Sequence, residues 1–174
     1  MSVHRLDVET SGLMVFALNA STQSNLSKQF QKRLVGKRYI ALVEHSPAEN
    51  QGAIQAPLVK DPEPTHWPRQ KICHDSGRPS RTLWRIHERP IDEPLRQQGR
   101  TARLELRPET GRTHQIRVHL ASPPEEGGLG TPILGDTLYG SESTAPRLCL
   151  HAEGLAFWRP NTDEWLKFES PAPF

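Results

Sequence analysis

Two cysteines, Cys73 and Cys149, are all that 174 residues contain, and they stand far apart with no CxxC pair. A disulfide framework and a thiolate cluster are therefore not expected, and this usage fits reduced thiols in the cytoplasm. Long apolar runs are also missing, and none approaches the roughly 20 residues that cross a bilayer. The opening MSVHRLD sets His4, Arg5 and Asp7 where a secretory leader needs an unbroken apolar core. A soluble cytoplasmic protein with no membrane partner is expected. Sequence signatures of dinucleotide sites (GxGxxG), phosphate loops (GxxxxGK) and serine hydrolases (GxSxG) do not occur, nor does HExxH. His114 and His119, five residues apart, splay on a helix, so no metal site is expected.

Neither sign of charge dominates. Twenty-two Lys and Arg against 20 Asp and Glu leave a net charge of +2, and the pI near 8.7 is too mild to identify a nucleic-acid binder. Position matters more than total. Lys28, Lys32 and Arg33 fall close together, followed by Lys37 and Arg38, while Arg78, Arg81, Arg85, Arg112 and Arg117 occupy later segments. These either line an RNA groove or form solvated faces.

The length suits one domain with a substantial core. The run GLMVFAL, Gly12 to Leu18, is consistent with a buried strand. A helix follows, capped by Asn19 or Ser21, with Leu26, Phe30 and Leu34 at four-residue spacing, Lys28, Gln29, Lys32 and Arg33 toward solvent, and Gly36 as its end. Strand patterns follow at Lys37 to His45, Gly52 to Val59, Thr82 to Glu88 and Ala102 to Pro108. The prolines of Asp61 to Gln70 and of Ser122 to Pro132 indicate loops. HQIRVHLA, His114 to Ala121, predicts a short helix with Ile116, Leu120 and His119 inward. Strands return at Arg147 to Trp158 and Glu164 to Ser170. Runs of strands with two helices predict an α+β domain on a largely antiparallel sheet.

The segment HRLDVETSG, His4 to Gly12, resembles the HRLD-x-x-TSG signature of RluA-type pseudouridine synthases. The resemblance continues in order through QF-x-x-R (Gln29 to Arg33), KRYIALV (Lys37 to Val43), GRTHQIRVHL (Gly111 to Leu120), PILGDTLYG (Pro132 to Gly140) and PRLCLHA (Pro146 to Ala152). It implies an RNA-modifying isomerase that needs no cofactor and is expected to be a monomer, built on a mixed sheet with a few flanking helices. Residues 1–174 would form its catalytic domain, without the strand region that relatives carry before HRLD.

By the same resemblance, Asp7 is the catalytic carboxylate, acting as nucleophile or as base, on the sugar or on the uracil. Such a carboxylate must stay ionised in a pocket closed by a stacked base, which calls for an opposite charge. Arg117 matches the arginine that pairs with it. Tyr39 matches the tyrosine that packs on the target base, and an ordinary phenol of pKa near 10 suits stacking better than proton transfer. Arg5 matches an arginine suited to filling the space a flipped base leaves; alternatively it contacts phosphate only. Lys32, Arg33, Arg81, Arg112 and His114 are candidate RNA contacts. One of Leu148 and Leu150 walls the uracil pocket, or both belong to the core. The stretch Pro57 to Thr82 is most similar to the branch that modifies a 23S rRNA hairpin loop and the tRNA anticodon stem-loop. The rival reading is an inactive RNA-binding fragment of the same fold.

Overall fold

A computed structural model describes residues 1–88 and 101–174. Its elements run β1 (Ser11–Gly12), α1 (Ala20–Gln31), β2 (Gly36–Val43), β3 (Gln51–Gln55), β4 (Leu58–Lys60), β5 (Gln70–Ile72), β6 (Arg81–Ile86), β7 (Ala102–Pro108), α2 (Gln115–Ala121), β8 (Leu150–Trp158) and β9 (Trp165–Glu169). Among the described residues, seven strands form one sheet in the order β1-β8-β2-β7-β6-β3, with β9 also on β8, while β4 and β5 make a separate hairpin. All pairings are antiparallel except β1 with β8. The α+β architecture with a largely antiparallel mixed sheet is as the strand pattern predicts.

The two faces of the sheet are covered unequally. In β2, Ile40 to Val43 are buried without alternation, and in β7 so are Ala102 to Leu106, as expected of central strands packed on both sides. Ile116 and Leu120 of α2 join Ile40, Leu42, Leu104 and Leu106 in the main core, which also takes in Leu148 and the chain's last residue, Phe174. A smaller core forms where Leu26 and Phe30 of α1 meet Leu155 and Phe157 of β8.

Three local expectations are corrected. GLMVFAL is extended, but only Gly12 belongs to a regular strand. Leu13, Val15 and Ala17 turn inward, while Met14, Phe16 and Leu18 are exposed. The segment's inward residues pack on the smaller core, while among the described residues its other face is left exposed, so the run is not buried as a central strand would be. Helix α1 ends before Gly36, at Lys32, and Arg33 takes the left-handed conformation with φ 58°. Gly36 begins β2 instead. Gln29 does not face solvent. It is buried, donating through Nε2 to the Asn25 side chain and the Trp158 carbonyl, both at 2.8 Å, and accepting from the Trp158 N–H at 3.0 Å. Its paired amide satisfies a strand end that an apolar residue would leave open. Asn19 caps α1 as expected, its Oδ1 accepting from the Thr22 N–H at 2.9 Å.

Candidate active site

The site begins where the first extended segment docks on β8. Gly12 stands opposite Ala152 with φ +112°, and a Cβ there would lie 2.3 Å from the Ala152 carbonyl oxygen. Only glycine allows so close an approach. The Leu13 N–H then donates to Ala152 at 2.9 Å. Just before this contact the chain turns, the Thr10 N–H donating to the Asp7 carbonyl at 3.0 Å. The carboxylate-bearing turn is thereby held against the strand that carries Leu150. His4 ties down the preceding residues. Its ring stacks on Phe30 at 4.6 Å, and its Nε2 accepts from the Val15 N–H at 3.0 Å.

A cavity of about 530 Å³ opens here, lined among others by Arg5, Asp7, Thr10, Tyr39 and Leu150. Arg33, Lys37 and Arg112 line it as well. The structure thus brings together five of the sequence-selected residues, Asp7, Arg5, Tyr39, Arg33 and Arg112, with Leu150 as an apolar wall. Burial, assisted by the negative charge of Asp7, pushes the Tyr39 phenol up to about 12. At neutral pH Tyr39 is a phenol, able to stack and to donate a hydrogen bond, and a poor base.

Arg117 lies behind this cavity, buried at 2% exposure. Its Nε and Nη2 donate to the two oxygens of Asp136 at 2.8 and 2.6 Å, and Nη2 also reaches Glu9 at 3.3 Å. Burial alone would lower its pKa. The hydrogen bond and charge of Asp136 outweigh that, with smaller contributions from Glu9 and Asp7, so the pKa stands above its ordinary value. The paired partner is therefore Asp136, while Asp7 feels Arg117 through the field alone. Asp136 is fully buried and also accepts from the N–H groups of Leu138 and Tyr139 at 2.9 and 3.0 Å.

His114 precedes α2 in a left-handed conformation, φ 53°, a strained backbone of the kind that clusters at functional sites. Its Nδ1 lies 2.8 Å from the Tyr139 hydroxyl, which accepts from the Gln70 N–H at 2.7 Å. The donor in this contact is set by the imidazole tautomer, the phenol giving its proton when Nδ1 is bare and accepting when Nδ1 is protonated. Burial lowers the His114 pKa; Asp7 opposes this and Arg117 adds to it. The guanidinium carbons of Arg69 and Arg117 lie 5.3 and 5.4 Å from the Tyr139 ring.

Other selected residues fall outside the cavity lining. Leu148 is 1% exposed in the main core. Lys32 is exposed at the end of α1. Arg81 is engaged with Glu109 at 2.6 Å. The sequence offers Lys37 only as one of several cations that either line an RNA groove or form solvated faces, and it assigns no site role to Asp136 or Thr10. Lys37 and Asp136 sat inside quoted motifs without a distinguishing signal. The hydroxyl of Thr10 is buried beside the cavity with no hydrogen-bond partner, which no sequence pattern reveals. Among the described residues, no group of three His, Cys, Asp or Glu is arranged to hold a metal ion.

A largely antiparallel sheet thus gathers a carboxylate, a phenol and four cations at one cavity. Residues 1–122 match the family RNA pseudouridylate synthase, and the chain belongs to that family. It is of the RluA type. It is 44% identical to the dual-specificity RNA pseudouridine synthase RluA of Pasteurella multocida, covering 98% of this chain and 73% of that protein. Its identity to the protein of the same name from Escherichia coli K12 is 40%, over 99% and 74%. The solved structure of human RNA Pseudouridylate Synthase Domain Containing 1 matches with a TM-score of 0.82 at 29% identity, over 99% of this chain and 69% of that one.

Proposed function

We propose that this protein isomerises uridine to pseudouridine in structured RNA, with Asp7 as the catalytic carboxylate. The observation that carries the proposal is Asp7 sharing one cavity with a protonated Tyr39 and with Arg5. The reaction breaks the bond from uracil N1 to ribose C1′, turns the base, and joins C5 to C1′. The C5 proton leaves and N1 gains one, so nothing is consumed. Ionised Asp7 supplies the electron pair that attacks or deprotonates. Tyr39 packs on the uracil against the Leu150 wall, and Arg5 fills the stack that the flipped base vacates. Arg117, fixed by Asp136, anchors the turn that carries Asp7 through its contact with Glu9.

The substrates on this reading are a 23S rRNA hairpin loop, the tRNA anticodon stem-loop or both. The names of the relatives, which are dual-specificity RNA pseudouridine synthases, support this choice. The protein would act in the cytoplasm, where those RNAs are found, and as a monomer, since one chain supplies every residue invoked. No helix among the described residues is long and apolar enough to cross a membrane.

Asp7→Asn tests the proposal. The amide keeps the shape and lacks the charge, so pseudouridine formation on an anticodon stem-loop transcript should vanish while RNA binding persists. A wild-type protein that binds this RNA without converting any uridine would favour the inactive RNA-binding alternative.

A further inference from the structure

Lys37 is the one lysine that lines the cavity, and the proposed chemistry does not use it. Its ammonium donates to the Thr110 carbonyl at 2.9 Å, and among the described residues its other two N–H bonds find no acceptor. Among the described residues no carboxylate lies within ion-pairing distance of it. The groups facing it are Arg33 from the end of α1, His4 from the first segment, and the Thr110–Gly111 turn after β7. Glu109, also on the cavity wall, is engaged with Arg81. Among the described residues Arg33 and Arg112 likewise show no carboxylate partner, and the Arg112 Nε donates to the Pro79 carbonyl at 3.3 Å.

A half-buried ammonium without a counter-ion is costly unless an anion arrives from outside. The space for one is present: a Cβ added at Gly111 would meet nothing nearer than Lys37 Nζ at 4.0 Å. Lys37 and Tyr39 are two residues apart on β2 and both line the cavity, so an anion at Lys37 would share that cavity with the phenol that stacks on the base.

We propose that Lys37, flanked by Arg33 and Arg112, forms a subsite for the RNA backbone phosphate adjoining the target uridine. The inference rests on the proposed function and adds to it the group that fixes where the flipped nucleotide's backbone lies. A half-buried cation on a phosphate makes a charge-assisted hydrogen bond, whereas the exposed Lys32 offers only screened attraction. Burial and the neighbouring Arg33 lower the Lys37 pKa to about 8. A bound phosphate would favour the charged form and raise that value, so binding should take up a proton between pH 7 and 9. Tyr39, at about 12, does not titrate there, and the lowered pKa of His4 lies below the window.

The test uses the Asp7→Asn protein, which binds without turnover, and an anticodon stem-loop carrying one neutral methylphosphonate in turn on either side of each loop uridine. One such replacement should weaken binding about tenfold. Adding Lys37→Met should weaken binding to unmodified RNA by a similar factor and cause no further loss on that modified RNA. The binding constant should also worsen about tenfold from pH 7 to 9, a dependence absent in Lys37→Arg, which keeps its charge and serves as the folding control. Additive losses at every phosphate, or the same pH dependence in Lys37→Arg, would overturn the subsite. Because the readout is binding, an active wild type with additive losses sinks the subsite alone. An inactive wild type with coupled losses sinks the proposed function and leaves the phosphate site standing.

Discussion

Arg117 has two carboxylates within reach, and the buried one holds it. Asp136 takes the Nε–Nη2 edge of the guanidinium with both its oxygens, while Glu9 touches Nη2 from a partly exposed position. Removing Asp136 would strand a charge that is 2% exposed. Asp136→Ala should therefore cost about 3–5 kcal/mol in urea unfolding, and a loss below about 1 kcal/mol would mean that Arg117 finds another partner. Of the site, the motifs made Asp7, Tyr39 and Arg117 legible as residues. The identity of Arg117's partner was not. Asp136 lies 19 residues further on, in a loop whose sequence says nothing of the direction its side chain takes.

At the scale of elements, α1 shows how a helix end is chosen by its neighbours. The Gly36 stop signal was locally sound, but Gly36 is taken into the β2–β8 ladder opposite Ala156, whose pairing extends β2 back to it. Arg33 is left to adopt the left-handed turn, which costs a residue bearing a Cβ about 1 kcal/mol. Arg33→Gly should raise unfolding free energy by about 0.5–1 kcal/mol. The same change removes a cavity cation, so RNA affinity should fall, and the log–log salt slope should flatten by about 0.7–0.9. Stability and binding that moved in the same direction would show that Arg33 contributes to one of them only. Elsewhere local pattern sufficed: Asn19 offered a side-chain acceptor, and α2 carried inward residues at helical spacing.

Across the whole molecule, three histidines are kept neutral by burial. His119 is fully buried, with its Nδ1 3.0 Å from the Thr82 hydroxyl and its Nε2 3.0 Å from the Ala56 carbonyl, so it joins α2 to β6 and to the β3–β4 connection. The pKa values of His4, His114 and His119 are all lowered, by burial first in each case. In the unfolded chain these groups titrate near 6.5. Below that pH the unfolded state binds protons that the folded state refuses, so stability is full above about pH 6.5 and declines as pH falls through the folded values. The urea midpoint should drop between pH 7.5 and 5.5, less so in His119→Gln. A midpoint constant over that range would mean that these rings gain protons without unfolding.

What the sequence determined by itself was local: the cap of α1, the proline-bearing loops, the strand-forming segments and the family motifs around Asp7, Tyr39 and Arg117. Each depends on residues within a few positions of one another, where periodicity and capping act. The strand order β1-β8-β2-β7-β6-β3, the approach of Gly12 to Ala152, the exposure of Met14, Phe16 and Leu18, and the anchoring of the Lys37 ammonium on the Thr110 carbonyl were decided only in three dimensions. Those features arise from contacts between residues tens to more than a hundred positions apart. Such contacts leave no spacing in the chain to read, because burial and charge pairing belong to the assembled sheet and not to any one segment of it.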